Sequence, residues 1–97
     1  MNKQTVTKRL NDIKHQLLQY GVKRLGLFGS TVRGENTKDS DIDILLDFED
    51  HQEIYINFIT VCDILQRQFK RSKLDIVTYK GLSPYIGKTI LNEVEYV

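Results

Sequence analysis

The chain has 97 residues, enough for one small domain with a single core. Hydrophobic residues make up 40% and charged residues 28%, a balance that excludes disorder as the main state. Lys and Arg number 14 and Asp and Glu 13, so the net charge is +1. Bulk charge therefore does not favour nucleic-acid binding, although it leaves room for a local basic patch.

No stretch reaches the roughly 18 apolar residues of a membrane span, and the N-terminal residues lack the apolar centre of a signal peptide. We therefore expect a cytoplasmic protein with one domain over residues 1–97. Cys62 is the single cysteine, which excludes an internal disulfide and a zinc site built from several cysteines. Its apolar surroundings predict a buried thiol.

Hydrophobic spacing and turn residues divide the chain into alternating helices and strands. The predicted elements, in chain order, are a helix over Thr5–Tyr20, a strand over Val22–Phe28, a helical turn over Ser30–Arg33, a loop over Gly34–Ser40, a strand over Asp41–Phe48, a helix over Glu53–Phe69, a strand over Lys73–Tyr79 and a C-terminal helix from Pro84 that includes Val94.

This order predicts an α/β fold of the mixed α+β kind, a small mixed sheet flanked by helices. The connection between the first two strands is short, so we expect them to be antiparallel or nearly adjacent. The helix over Glu53–Phe69 is long enough to cross over to a parallel neighbour. Its predicted apolar stripe consists of Ile54, Phe58, Ile59 or Val61, Cys62, Leu65 and Phe69.

Two aspartates interrupt the otherwise apolar second strand. Asp41 and Asp43 are two positions apart, so they point to one face about 6–7 Å apart along the strand. Two such carboxylates repel unless a cation lies between them, and their hard oxygens suit Mg²⁺ or Mn²⁺. The alternative is a strand that begins at the surface with both side chains solvated. Asp47 has the same parity but lies further along, and we interpret it as a solvated strand-end residue.

Asp75 is the lone charge within LDIVTY, the centre of the third strand. If that strand lies beside the second one, its carboxylate can join the other two. Three converging carboxylates can hold two divalent ions. The alternative is an edge-strand aspartate that faces water.

Gly29 and Ser30 follow the first strand and open the helical turn. A glycine lets a phosphate approach the backbone, exposed amide groups favour an anion, and the serine hydroxyl adds a donor. Arg33 lies one turn further on and could neutralise phosphate charge, or instead pair with Glu35 or face solvent. The alternative for the whole segment is an ordinary strand-to-helix turn with a serine cap.

In combination, these features form the string LFGSTVRGENTKDSDIDILLDF. It resembles the DNA polymerase beta-like nucleotidyltransferase superfamily, and in particular its minimal nucleotidyltransferase (MNT) domains. Their signature is Gly-Ser, ten residues, then Asp-x-Asp, and it is matched by Gly29, Ser30, Asp41 and Asp43. Asp75 matches the third family carboxylate by position and context. The resemblance covers nearly the whole chain.

The resemblance implies transfer of a nucleoside monophosphate from a nucleoside triphosphate to a hydroxyl, with release of pyrophosphate. It implies that Asp41 and Asp43 ligate two Mg²⁺ ions, with Mn²⁺ as a possible substitute. Asp75 would ligate the catalytic ion and help to deprotonate the acceptor. Gly29 and Ser30 would hold the triphosphate of ATP, with Arg33 beside them.

Small MNT proteins are commonly antitoxins paired with a HEPN-domain ribonuclease toxin. The resemblance therefore implies that this chain adenylylates a toxin tyrosine and so neutralises the toxin. One alternative is a binding-only antitoxin that acts sterically. Others are a transferase with a small, antibiotic-like acceptor and a nucleic-acid 3′-end transferase, the last disfavoured by the near-neutral charge.

The remaining prominent side chains are predicted to be structural. We expect Tyr55, Tyr79, Tyr85 and Tyr96 to be core or interface residues. His15 and His51 lack metal-ligand spacing, so we expect both at the surface.

Overall fold

The computed structural model describes residues 1–97 and contains every helix and strand that the sequence predicts. The elements are α1 (Lys3–Leu18), β1 (Val22–Phe28), α2 (Ser30–Arg33), β2 (Ile42–Phe48), α3 (Tyr55–Gln68), β3 (Leu74–Thr78), a 3₁₀ turn (Tyr79–Gly81), α4 (Pro84–Glu93) and β4 (Glu95–Tyr96). Helix α1 begins two residues earlier than predicted because the Asn2 side chain caps it, accepting a hydrogen bond from the Thr5 amide at 2.9 Å.

The four strands form one mixed sheet in the order β3-β2-β1-β4. β1 runs antiparallel to β2, which brings Phe28 opposite Asp43. β2 runs parallel to β3, which brings Asp43 opposite Asp75, and α3 makes the crossover between them. The predicted fold class and both predicted strand relations are therefore confirmed.

The main core lies between one face of the sheet and the helices α1 and α3. The even-numbered residues of β2 point to this face, because side chains alternate along a strand. Its members from α1, β2 and α3 are Val6, Leu10, Ile13, Leu17, Ile42, Ile44, Leu46, Phe48, Val61 and Leu65.

Helix α4 covers the opposite face of the sheet with a smaller cluster, in which Ile90 packs with Phe28 and Leu45. The odd-numbered residues of β2 share this face, so Asp43 and Asp47 lie on the same side as α4. Asp43 lies at the end of this face where β1 finishes and β2 and β3 begin, whereas Asp47 lies near the opposite end. The fold thus positions Asp43, with Asp75 opposite it in the register, next to the turn that follows β1.

Asp47 is buried, with 7% of its surface exposed, so the prediction of a solvated strand-end residue was wrong. Arg24 on β1 donates from Nε to Asp47 Oδ2 at 2.9 Å. The Arg24 guanidinium also lies over the rings of Tyr96 and Tyr79, 4.5 and 5.7 Å from their centroids. Arg24 and the two tyrosine rings lie on elements other than β2. The alternation of side chains along β2 therefore could not predict that Asp47 is buried.

Two details of the later helices differ from prediction. Ile54 is 50% exposed because it precedes α3 as its cap instead of joining the apolar stripe, and Val61, not Ile59, is the buried member. Helix α4 ends at Glu93, so Val94 lies outside it, and the two-residue strand β4 follows. A strand of two residues is too short to produce a recognisable hydrophobic pattern.

The four tyrosines predicted for the core or an interface are all exposed, Tyr85 to 89%, so a core position is wrong for each of them. His15 and His51 are exposed, as predicted. Cys62 is only partly buried, and this burial raises the pKa of its thiol. No helix is both long and apolar enough to cross a membrane.

Candidate active site

Asp43 and Asp75 face each other at the end of the sheet where β2 and β3 begin. They are paired in the parallel register, and their carboxyl groups are close enough to hydrogen-bond when one is protonated. Asp41 directly precedes β2 on the same side, and its side chain is exposed. The structure therefore places the three predicted carboxylates at one end of the sheet and brings two of them into contact.

Asp43 carries the electrostatic strain of this arrangement. Its pKa is raised from 3.8 to about 6, chiefly because partial burial penalises the charged form. The charge of Asp75, a hydrogen bond with Asp75 and the charge of Asp41 raise the pKa further, and only Arg33 opposes them. Burial first and the neighbouring acidic groups second thus favour the neutral form of Asp43, and a bound cation would restore the charged form.

The donor set fits a hard divalent cation, because carboxylate oxygens are the ligands that Mg²⁺ and Mn²⁺ prefer. As placed, no three His, Cys, Asp or Glu side chains converge closely enough to hold a metal ion. Asp41 is exposed and directly precedes β2, outside the strand. The contacting pair is thus Asp43 and Asp75, with Asp41 available beside them.

Gly29 forms the turn between β1 and α2 in a conformation that other residues rarely adopt, with φ 75° and ψ −154°. A Cβ atom at this position would overlap the Asp43 carboxylate. Glycine is therefore required for two reasons, its backbone conformation and the close approach of the Asp43 carboxylate. Ser30, the first residue of α2, is held beside the acidic group by this turn.

Glu93, the last residue of α4, also belongs to the site and was missed by the sequence reasoning. Its Oε1 accepts a hydrogen bond from the Gly29 amide at 2.7 Å. Arg33 Nη1 donates to both Glu93 oxygens, at 3.1 and 3.0 Å. The sequence offered one signal, the negative charge of Glu93. An acidic residue at a helix C-terminus interacts unfavourably with the helix dipole, and such a residue often has a functional role.

The Arg33 guanidinium forms ion pairs with two carboxylates of the protein, those of Glu93 and Glu35. Besides its contacts with Glu93, its Nε donates to Glu35 Oε1 at 2.6 Å. The hydrogen bonds that Arg33 donates to Glu35 and, less strongly, to Glu93 raise the pKa of its guanidinium. The pairing with Glu35 that the sequence left open is thus observed.

The surroundings of the aspartates are open. A groove of about 590 Å³ runs between the start of α1 and the segment Thr31–Lys38, and Arg33 is part of its wall. The three aspartates, Gly29 and Ser30 line neither this groove nor any other cavity of the molecule.

The structure thus contains a strand-turn-helix with Gly-Ser, followed by paired carboxylates on neighbouring strands. This arrangement matches the signature that the sequence shares with nucleotidyltransferases. The chain belongs to the nucleotidyltransferase domain family, whose sequence model matches residues 8–97. Over 79 residues it is 42% identical to the protein adenylyltransferase MntA of Thermococcus cleftensis, covering 81% of this chain and 78% of that protein. A Methanocaldococcus jannaschii protein assigned as a protein adenylyltransferase is 34% identical, covering 93% of this chain and 99% of that one.

Solved structures agree with this membership. A minimal nucleotidyltransferase superposes with a TM-score of 0.83 and 28% identity, covering 98% of this chain and 95% of that one. A chain from a toxin–antitoxin crystal structure with AMP-PNP superposes with a TM-score of 0.67 over 99% of this chain and 72% of that one. At 21% identity, the second likeness supports the fold alone.

Proposed function

We propose that this protein is a metal-dependent protein adenylyltransferase that acts as an antitoxin. It transfers AMP from ATP to a tyrosine hydroxyl of a HEPN-domain toxin and thereby neutralises the toxin. The observation that carries the proposal is the contact of Asp43 with Asp75 beside the Gly29 turn. The similarity to proteins named protein adenylyltransferases supports a protein as the acceptor.

Asp41, Asp43 and Asp75 would hold two Mg²⁺ ions, or Mn²⁺ in their place. Bound there, such ions neutralise the charge of the phosphoryl group and lower the pKa of a coordinated hydroxyl. The raised pKa of Asp43 supports this assignment, because a bound cation would offset both the burial and the neighbouring aspartate charges that raise it.

The chain's own residues would bind ATP and direct the transfer. Ser30 and the backbone of its turn bind the triphosphate, next to the carboxylates that orient its α-phosphoryl group. The tyrosine oxygen attacks the α-phosphorus, the bond between that phosphorus and its bridging oxygen breaks, and pyrophosphate leaves. Asp75, exposed at the start of β3, accepts the proton of the hydroxyl.

The open site supports a macromolecular acceptor. A small-molecule transferase needs a pocket that encloses the acceptor, whereas here the carboxylates lie outside every cavity. A partner protein can supply the missing wall. The resemblance to minimal nucleotidyltransferase antitoxins supports a toxin as that partner.

The test is intact mass spectrometry of the protein encoded next to this one, after incubation with this protein, ATP and Mg²⁺. We expect the partner to gain the mass of one or more AMP units. The gain should be absent with Asp41→Asn/Asp43→Asn and unchanged with the control Asp39→Asn. Asp39 is an exposed aspartate in the loop before β2. Inhibition of the partner without any mass gain would instead establish a binding-only antitoxin. If the partner shows neither a mass gain nor inhibition, the acceptor should be sought among small molecules.

Asp75→Asn separates binding from chemistry. We expect this variant to bind ATP more weakly, yet still measurably, and to lose most of the transfer rate, because it removes both a metal ligand and the proton acceptor. Single-turnover transfer and equilibrium ATP binding measure the two effects. A rate equal to that of the wild type would reduce Asp75 to a surface strand residue.

A further inference from the structure

We infer that Glu93 is a positioning residue that anchors the Gly29–Ser30 turn, and that Arg33 neutralises Glu93 instead of binding nucleotide phosphate. The inference rests on the proposed function only in requiring a nucleoside triphosphate site at this turn. It assigns separate roles to the residues around that site: conformation to Gly29, ligand contact to Ser30 and anchoring to Glu93.

The contact between Glu93 and Gly29 carries the anchoring role. The Gly29 amide donates to Glu93 Oε1 at 2.7 Å, the short distance of a charge-assisted hydrogen bond. That amide is therefore already satisfied by the protein. Gly29 contributes its unusual backbone angles and the space for Asp43, and the donors left for a phosphate begin at Ser30.

Two elements determine where the Glu93 carboxylate lies. Helix α4 is packed through Ile90 against Phe28, the residue directly before Gly29. After Glu93, strand β4 pairs with Gly26 and Leu27 of β1. Glu93 is thus held between two attachments to the strand that ends at the turn, which makes it a rigid support for the turn.

The charge of Glu93 requires a counter-ion. Its carboxylate accepts from the Gly29 amide at the proposed triphosphate site, so left alone it would repel the nucleotide. Arg33 contacts both of its oxygens, at 3.1 and 3.0 Å, and cancels that charge. Glu35 also pairs with Arg33, but its side chain is 64% exposed against 24% for Glu93, so water screens the Glu35 contact more strongly.

If Arg33 neutralises Glu93, the loss of nucleotide affinity in Arg33→Gln should be reversed by a second change at Glu93. If Arg33 binds phosphate directly, the second change should not restore affinity. We expect Arg33→Gln to weaken binding of AMP-PNP with Mg²⁺ roughly tenfold, because it exposes the charge of Glu93 to the triphosphate. Adding Glu93→Gln removes that charge and keeps an acceptor for the Gly29 amide. The double variant should therefore recover affinity to within about threefold of the wild type.

Glu93→Ala tests the anchor itself. Electrostatics alone predicts tighter nucleotide binding when a negative charge is removed, whereas loss of the anchor predicts weaker binding, by about tenfold. Glu93→Gln should stay close to the wild type. The matched control is Glu95→Ala, two residues after Glu93. This change breaks the exposed ion pair between Glu95 and Lys3 and should leave nucleotide affinity unchanged.

Isothermal titration provides the affinities and circular dichroism melting provides the folded fraction, and neither needs an acceptor protein. If Glu93→Ala does not fold, the comparison of Arg33→Gln with the double variant decides. An Arg33→Gln defect that persists in the double variant would overturn the inference and make Arg33 a phosphate ligand. Wild-type protein that binds no AMP-PNP would overturn the nucleotide site as well, whereas binding without transfer would contradict only the proposed acceptor.

Discussion

Asp43 sets the balance between stability and chemistry at the scale of single residues. Its pKa of about 6 in the folded protein lies above the 3.8 of an unperturbed aspartate. Between these values the folded state holds the proton more tightly than the unfolded state does, so this group lowers stability as the pH rises. The unfavourable contribution is fully present above pH 6 and is relieved as the pH falls toward 4.

We therefore expect Asp43→Asn to raise the free energy of unfolding at pH 7 without metal by about 1 kcal/mol, after allowance for solvent screening. The same variant should lose nucleotidyl transfer, a trade between stability and activity at a functional site. Urea unfolding in EDTA at pH 7 and pH 4 measures the effect, which should shrink at the lower pH. If Asp43→Asn is less stable than the wild type at pH 7, the unfavourable contribution assigned to the charged Asp43 is contradicted. Asp39→Asn is the control.

At the scale of elements, one ion pair connects the two central antiparallel strands. Arg24 and Asp47 are partners in the β1–β2 register, and the side chain of Asp47 is only 10% exposed. The Tyr96 ring of β4 lies against the same guanidinium. A buried carboxylate depends on such a partner, because its removal leaves an unpaired charge away from water.

We expect Arg24→Met to lower the free energy of unfolding by about 2 kcal/mol. Combining it with Asp47→Asn should recover part of the loss, because the second change removes the orphaned charge. Chemical denaturation of the two single variants and the double variant gives the coupling. Lys80→Met is the control, since its pair with Asp50 is exposed and should contribute within about 0.5 kcal/mol. Additive single effects would show that the pair is not coupled.

At the scale of the whole molecule, the sheet separates a large core from a small one. The large core carries most of the apolar burial, and α3 enters it through Val61 and Leu65 while Ile59 stays on its outer side. The site lies on the other face, at the end of the sheet beside α4. Much of the stability therefore comes from contacts remote from the chemistry.

Leu65→Ala should lower the free energy of unfolding by about 2–5 kcal/mol, because it leaves a cavity in a closed core. Ile59→Ala on the same helix should change it by about 0.5 kcal/mol or less, since Ile59 is 43% exposed. Thermal and urea unfolding compare the two. Nucleotide affinity below the melting temperature should be unchanged in both variants, and a change would indicate that the two faces of the sheet are coupled.

The sequence by itself determined the four helices, the first three strands, the mixed fold class and the positions of Gly29, Ser30, Asp41 and Asp43. Those features depend on spacing within one strand or turn, where backbone geometry relates nearby residues directly. Asp75 could be identified by its context, but its contact with Asp43 required the parallel register of β2 and β3. The burial of Asp47 and the role of Glu93 were not predictable in this way. Glu93 reaches Gly29 across 64 residues of chain, and such contacts are decided by how helices and strands pack, not by local sequence.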